Sequence, residues 1–395
     1  MKTVDHFNFE NKKALIRVDF NVPLDDQLQV TDTTRIEAAK PTILKILEDG
    51  GAAILMSHLG RPKAQEDEFS MKHICSKVSE IIGVEVIYVA NCVGEEATQA
   101  AANLEMGQIL LLENLRYHTE EKEGDVAFAK ALSELGDIYV NDAFGTAHRA
   151  HASTTIIAQF FPENKCFGKL LAKEIESLDR VLNDSEKPVL AILGGAKVSS
   201  KITVIENILD KVDEMIIGGG MAYTFIKAQG GKVGSSICED DKMELALNIL
   251  KAAKEKNVLI HLPVDVLAAD DFSETATTKV VDINDIPEGW QGLDAGPGSQ
   301  VVFDAVAQRA KTILWNGPLG VFEMTPFSGA TIALGNSITQ ATKNGAFSLV
   351  GGGDSVAAVK QFGFDTKVSY VSTGGGAMLE MLEGKTLPGI AAILE

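Results

Sequence analysis

A short apolar run, a turn bearing Gly or Asp, and a longer segment of helical period recur from one end of this chain to the other. Strand candidates in the first half are 14–18, 52–56, 85–89, 109–112 and 138–140, with helical patterns at 35–49, 71–82 and 125–135 between them. The second half continues with 189–193, 215–217, 258–262, 312–315, 347–350 and 368–371, and with helices at 240–255 and 299–310. Several candidate strands are apolar at consecutive rather than alternating positions, which predicts strands buried on both faces of a parallel sheet. The pattern predicts an α/β protein of two doubly wound, Rossmann-like parallel-sheet domains. The length of 395 residues, 45% of them hydrophobic, suffices for two cores.

The boundary is expected near residues 165–185. Lys169–Leu182 reads as one amphipathic helix, with Leu170, Ile175, Leu178 and Leu182 at helical spacing, and the polar stretch 183–188 ends it. A helix is stiffer than a Gly/Ser linker, so the join is expected to be a hinge helix rather than a tether. The expected division is a first domain over 1–168, an interdomain helix over 169–183 and a second domain from 184.

Charge narrows the partners. Lys and Arg number 36 against 55 Asp and Glu, a net −19. Residues 1–183 carry 19 − 29 = −10 and the remainder 17 − 26 = −9, so neither half is a basic nucleic-acid module. The four cysteines (Cys75, Cys92, Cys166, Cys238) lack CxxC spacing, which disfavours a zinc ribbon or a disulfide framework. The opening MKTVDHFNFE lacks the apolar core of a signal peptide, and no apolar run approaches the ~20 residues that span a bilayer. A soluble cytoplasmic protein without nucleic-acid or membrane partners is expected.

In open α/β sheets ligands bind beyond the carboxyl ends of the strands. Four strand ends of the first half carry RVDFNVP (17–23), SHLGRP (57–62), ENLRYH (113–118) and NDAFGTAHRAH (141–151), each bringing an Arg or a His–Arg combination. Six of the seven histidines lie in the first 151 residues. One such arginine is readily a solvated loop charge; four converging on one sheet edge point to an anion site. Guanidinium forks match phosphate and carboxylate oxygens, so a small phosphorylated acid is the implied ligand.

The second half presents glycine clusters at 194–195, 218–220, 351–353 and 374–376, each after a strand and before a helical pattern. Glycine there admits close backbone approach, and a helix N-terminus offers N–H groups to phosphate. Lys197 and Lys201 are four residues apart, so an α-helix would set both on one face toward a polyphosphate. Asp354 could cap its helix or hold Mg²⁺; from the residue alone the cap is the simpler reading. No GxGxxG occurs, Leu379 replaces the first glycine of a Walker A ending at Thr386, and Ala150 follows His148-Arg149 where a protein kinase carries its base. The residues alone lead to a two-domain phosphoryl-transfer or phosphate-binding protein.

RVDFNVP, SHLGRP, LLENLRYH, VNDAFGTAHRAH, GGAKVSSK, GGGMAYTF, WNGPLGVFE, GGGDS and STGGGA, in this order across nearly the whole chain, resemble the phosphoglycerate kinase family. The resemblance implies reversible transfer of a phosphoryl group between 1,3-bisphosphoglycerate with ADP and 3-phosphoglycerate with ATP. It also implies a monomer whose two domains close, with magnesium carried by the nucleotide. By resemblance the substrate loops include Asp19, Phe20, Asn21, Leu59 and Gly60, with Asp19 and Asn21 at the glycerate hydroxyl. His58, Arg61, Arg116 and Arg149 surround the 3-phosphate, and Arg35 lies beside the reacting carboxyl. Lys197 follows the transferring phosphoryl, with Gly351 and Gly374 beside it. Lys201, Gly352, Gly353 and Ser355 take the nucleotide phosphates, and Asp354 the magnesium. Glu323 takes the ribose, while Gly292, Leu293 and Val321 wall the adenine slot. Residues 373–395 resemble the family's hinge and tail, which packs back on the first domain. One departure is Ile156, where the family usually has glycine.

A carboxylate nucleophile has no proton to remove, so transfer depends on alignment and charge neutralisation rather than on a base. The rival readings are a non-catalytic binding protein on the same scaffold, which the presence of Arg35, Lys197 and Asp354 disfavours, and a dehydrogenase, whose glycine fingerprint is missing.

Overall fold

The computed structural model describes all 395 residues. The chain divides into two compact units, Met1–Glu176 with Thr386–Glu395, and Ser177–Lys385.

In the first unit, β1 (Lys13–Arg17), β2 (Ala52–Met56), β3 (Val86–Tyr88), β4 (Ile109–Leu111), β5 (Ile138–Asn141) and β6 (Lys165–Phe167) form one parallel sheet in the order β3-β4-β2-β1-β5-β6. β2 reads Ala-Ala-Ile-Leu-Met and is buried at every position, as consecutive apolar residues require of a strand covered on both faces. The covering helices are α1 (Thr34–Glu48), α2 (Lys72–Ile82), α3 (Glu95–Asn103), α4 (Thr119–Glu123) and α5 (Val126–Ser133). α1 and α2 bury Ile36, Ile43, Ile46, Ile74 and Val78 against Ile16, Ala53 and Leu55 of the sheet. Strand order reverses beside β1, the switch point at which such sheets bind ligands. β6 departs from the expected five strands: Lys165-Cys166-Phe167 is too short to stand out as an apolar run and pairs as the sheet's edge.

The last ten residues belong to this unit. Asn141 Nδ2 donates to the Gly389 carbonyl at 3.1 Å, Lys165 Nζ to Ala392 at 2.8 Å, and the Gly389 N–H to Ala147 at 2.9 Å. Leu387, Ile390 and Ile393 are buried.

Helix α6 (Lys169–Leu182) has the bounds its periodicity predicts, and the border between the units falls within it, between Glu176 and Ser177. Buried Asp142 accepts the Leu171 N–H of its first turn at 3.1 Å, and Thr42 Oγ1 accepts that of Lys169 at 2.8 Å. A Cβ on Gly168 would lie 2.1 Å from Asp142 Oδ1, so glycine is what admits the carboxyl here.

The second unit contains β7 (Val189–Leu193), β8 (Glu214–Ile217), β9 (Lys232–Val233), β10 (Leu259–His261), β11 (Asp265–Ala269) and β12 (Thr278–Asp282). It continues with β13 (Asp285–Ile286), β14 (Gln291–Ala295), β15 (Thr312–Asn316), β16 (Phe347–Val350) and β17 (Tyr370–Val371). Six of these form a second parallel sheet, β10-β8-β7-β15-β16-β17. Its helices are α7 (Ile202–Ile208), α8 (Met221–Ala228), α9 (Met243–Glu255), α10 (Pro297–Arg309), α11 (Gly329–Lys343), α12 (Gly353–Gln361) and α13 (Gly376–Leu382); α14 (Pro388–Leu394) is the helix of the returning tail.

The sequence pattern did not announce the smaller antiparallel sheet β12-β11-β14. β12, Thr-Lys-Val-Val-Asp, alternates between exposed and half-buried, the signature of an edge strand with one wet face rather than of a buried run. The insertion matters because β14 carries residues 291–293 into the site.

Candidate active site

The four Arg- and His-bearing loops follow β1, β2, β4 and β5, which are neighbours in the sheet, so the sequence-predicted residues meet at one edge. His58 is buried and feels Arg17, Arg116, Arg35 and His151; burial, then these cations, hold its imidazole well below the usual histidine range. His151 is pulled down to about 4 by burial and by Arg17, Arg116 and Arg149. Burial and the neighbouring Arg17 and Arg149 bring Arg116 down to about 10. Like charges thus press on one another at this edge of the sheet, and a phosphate dianion would relieve them. Arg61 and Arg149 are exposed.

The supporting residues are as informative as the cluster. Arg17 is buried: Nε donates to Ser153 Oγ at 2.8 Å, and another guanidinium nitrogen lies 3.2 Å from His58 Nδ1. Arginine only donates, so His58 Nδ1 accepts and its proton resides on Nε2. Beneath them Glu121 is buried and accepts the Ser153 hydroxyl at 2.6 Å and its N–H at 2.9 Å. Asn114, fully buried, donates to the carbonyls of Leu59 (2.7 Å) and Phe69 (2.8 Å) and accepts the Arg116 N–H. Gly60 donates to Asn21 Oδ1 at 2.8 Å and its carbonyl accepts from Arg116 at 2.7 Å. Gly60 has φ +62°, and a Cβ there would lie 2.2 Å from the Phe69 ring. Phe20 and Leu59 have buried side chains that belong to the core. Asp19 accepts at 2.9 Å from Arg35, which stands in the first turn of α1. Sequence reasoning passed over Arg17 as a positioning group, and Glu121 and Asn114 entirely. Ile156 adopts no positive φ, so the position tolerates a side chain.

In the second unit the loops after β8, β7, β15, β16 and β17 are again contiguous. A pocket of about 440 Å³ opens among Gly195, Gly220, Leu293, Leu319, Val321 and Phe272, with Glu323 and Asp354 also on its lining. A Cβ on Gly292 would lie 2.1 Å from Tyr223 Oη, so only glycine lets that strand close on α8. Gly219 and Gly220 line the same pocket, and its Phe272 was not anticipated.

Lys197 and Lys201 do not share a helix face. The chain forms a 3-10 turn at Val198–Ser200 and α7 begins only at Ile202, because the extended backbone of Lys197 (φ −134°, ψ 132°) stands outside any helix. Lys197 is exposed, while Lys201 is half-buried and donates to Asn316 Oδ1. Burial lowers the Lys201 pKa, against the pull of Asp354 and Glu383. Asn316 Nδ2 donates to the Gly351 carbonyl at 2.7 Å, coupling the lysine to the glycine turn.

Asp354 is not the N-cap of α12; Gly352 is, with φ +90°, and Asp354 sits exposed in the first turn, where its charge complements the helix dipole. The expected phosphate-binding N–H groups are partly committed elsewhere. Gly351 donates to Trp315, Gly374 to Ser372 Oγ, and the buried Ser355 hydroxyl accepts from Gly317 at 2.6 Å. The donors left to a ligand are those of the first turn of α12, Gly353 and Asp354, which have no intrahelical acceptor.

Residues 4–385 match the sequence profile of the phosphoglycerate kinase family. A phosphoglycerate kinase of Porphyromonas gingivalis is 54% identical, with 99% of each chain covered. A cytosolic phosphoglycerate kinase of Triticum aestivum is 49% identical over 100% of this chain and 98% of the relative. Among solved structures, phosphoglycerate kinase from Coxiella burnetii superposes with a TM-score of 0.91 at 41% identity, covering 99% of this chain and 98% of the other.

Proposed function

Because the chain belongs to the phosphoglycerate kinase family, we propose that its two half-sites divide that family's reaction between them. The activity is reversible phosphoryl transfer between 1,3-bisphosphoglycerate with ADP and 3-phosphoglycerate with ATP, a kinase reaction of glycolysis with a carboxyl group as acceptor. In the proposed division the cationic cluster of the first unit takes the phosphoglycerate. Arg61, Arg116, Arg149 and the Nε2–H of His58 hold the non-reacting phosphate. Asn21 and Asp19 hold the hydroxyl, and Arg35 lies beside the carboxyl.

The pocket of the second unit takes the nucleotide. The base lies between residues 219–220 and Leu293–Val321, Glu323 meets the ribose, and Lys201 and the start of α12 meet the phosphates. Lys197, exposed on its extended segment, is free to follow the transferring group.

The acceptor carboxylate carries no proton, so no catalytic base is required. Alignment and neutralisation of the phosphoryl oxygens by Arg35, Lys197 and the α12 amides lower the barrier. No group of three or more His, Cys, Asp or Glu side chains forms a metal cage. The exposed Asp354 carboxylate beside Lys201 instead fits magnesium that is bound mainly by phosphates and reaches the protein through one oxygen ligand. Bound there, the ion would neutralise phosphate charge. Substrates held on separate units must be brought together, so closure is part of the cycle, and it excludes the water that would hydrolyse an acyl phosphate. No helix is long and apolar enough to cross a membrane, and the enzyme is proposed to act as a cytoplasmic monomer.

Convergence of the Arg and His loops on four neighbouring strands carries this reading. A coupled assay with Mg-ATP and 3-phosphoglycerate tests it: turnover is expected, and folded protein that shows none would refute it.

A further inference from the structure

One carboxyl group that takes no part in the scheme above stands directly behind the nucleotide pocket. Asp294 follows Gly292 and Leu293 on β14 and is 2% exposed. Its Oδ1 accepts the Ala295 N–H at 3.0 Å, and its Oδ2 accepts that of Ala330 at 2.9 Å. The Gly329 N–H also bonds the carboxylate. Gly329 and Ala330 open the first turn of α11, whose own side chains there, Gly-Ala-Thr-Ile, are uncharged. On the opposite side the carboxylate touches the loop that walls the pocket: a Cβ on Gly320 would lie 2.1 Å from Oδ1. The neighbouring Val321 N–H donates to the Leu293 carbonyl at 2.9 Å, which joins the loop to β14. Three segments that meet nowhere in sequence, β14, the 319–321 loop and the start of α11, thus converge on one side chain.

From this geometry we infer that Asp294 is a positioning residue for the nucleotide, setting the gap between Leu293 and the loop formed by Leu319, Gly320 and Val321. The inference rests on the reading that this pocket takes the nucleotide. A carboxylate suits the task because its two oxygens accept N–H donors from both sides, whereas an amide would turn an N–H against one of them. No cation is positioned to neutralise it. The titratable group facing it from α8 is the Tyr223 hydroxyl, itself pushed up by burial and by Asp294. On β11 the residue paired with it is Leu267, while Asp265 is occupied with the Gly298 and Ser299 N–H groups of α10. Glu323 is the carboxylate on the same loop and lines the pocket. Burial brings the Asp294 carboxyl up to about 7 despite its N–H donors. Around neutrality it therefore passes between an acceptor-only form and one in which an oxygen must donate.

The test is steady-state kinetics of Asp294→Asn against wild type between pH 6 and 8.5. At pH 8 the variant should show a KM for Mg-ATP raised on the order of tenfold, the worth of one misplaced hydrogen bond. Its KM for 3-phosphoglycerate should stay within twofold. As pH falls through 7 the wild-type KM for Mg-ATP should rise toward that of the variant. A purely structural residue would lower Tm and leave both KM values and their pH profiles alone, and that result would overturn the inference. Should Asp294→Asn fail to fold, Gly320→Ala, which presses on the same carboxylate, must raise the Mg-ATP KM in the same selective way; an unchanged value would be equally fatal. Calorimetric titration of ADP into Leu293→Trp separates the two readings. Undiminished ADP binding there means the pocket is not the nucleotide site. Lost binding there with undiminished binding in Asp294→Asn means that only the positioning role is wrong.

Discussion

Arg35 owes its place to Asp19, whose carboxylate accepts from it at 2.9 Å while itself nearly buried. The pair sets a charge without immobilising it, since the arginine remains about one-third exposed. Removing the guanidinium deletes the cation proposed to sit beside the reacting carboxyl. Arg35→Ala is therefore expected to lose on the order of 10³-fold or more in kcat, by comparison with charge-stabilising arginines elsewhere, while Tm changes little. Near-normal turnover would show that the charge acts elsewhere. Residues of this kind were legible as a sequence because ligand-facing arginines and histidines stand out against apolar strands. Arg17, Glu121 and Asn114 were not, because their work is done through partners more than 30 residues away, and no local pattern marks such a contact.

At the scale of elements, strands 52–56, 189–193 and 347–350 and helix 169–182 have the very bounds read from the sequence, each being uniformly buried or strongly two-faced. What escaped was weakly patterned: edge strand β6, half-wet β12, and the 3-10 turn that separates Lys197 from Lys201. The start of α6 offers a test of its own. Asp142 accepts an N–H of the first turn, which favours its charge, yet burial wins and pushes its carboxyl up to about 7. Its unfolded value is near 3.8, so between about pH 4 and 7 the native state binds more protons than the unfolded one. Its contribution to stability is therefore fully present in acid, falls as pH rises through that window and is flat above it. Asp142→Asn should remove this penalty and raise stability at pH 8 by on the order of 4 kcal/mol, with little change at pH 4.5. His58 and His151, whose imidazoles are depressed, act in the opposite sense, losing stability as pH drops below about 6.5. The comparison must therefore be made between variant and wild type at each pH by denaturant titration. Equal differences at both pH values would refute it.

On the scale of the whole molecule, the −19 charge disfavours polyanions and yet coexists with a local cationic cluster of Arg17, Arg35, Arg116 and Arg149 about His58 and His151. A small phosphate ligand meets only that cluster, whereas a duplex would meet the acidic remainder. Closure predicts that the radius of gyration from small-angle scattering falls when 3-phosphoglycerate and nucleotide are bound together; an unchanged radius with both sites filled would exclude it. Truncation after Lys385 removes the buried Leu387, Ile390 and Ile393 together with the Asn141 and Lys165 contacts. It should cost the first unit on the order of 5 kcal/mol and leave the calorimetric transition of the second unit in place. A shared shift of both transitions would contradict this assignment.

The return of Thr386–Glu395 to the first unit also orders events at the ribosome. The 209 residues of Ser177–Lys385 are inserted into the chain of the first unit, so that unit, although begun first, is completed last. At ~5–20 residues per second, roughly ten to forty seconds separate the synthesis of its last sheet strand from the arrival of the helix that covers it. Through that interval the nascent first unit exposes the apolar seat of Leu387, Ile390 and Ile393, while the second unit already has all its sequence. A stop codon within the codons for Thr386–Glu395 would leave the later-made unit whole and the earlier-made one unfinished.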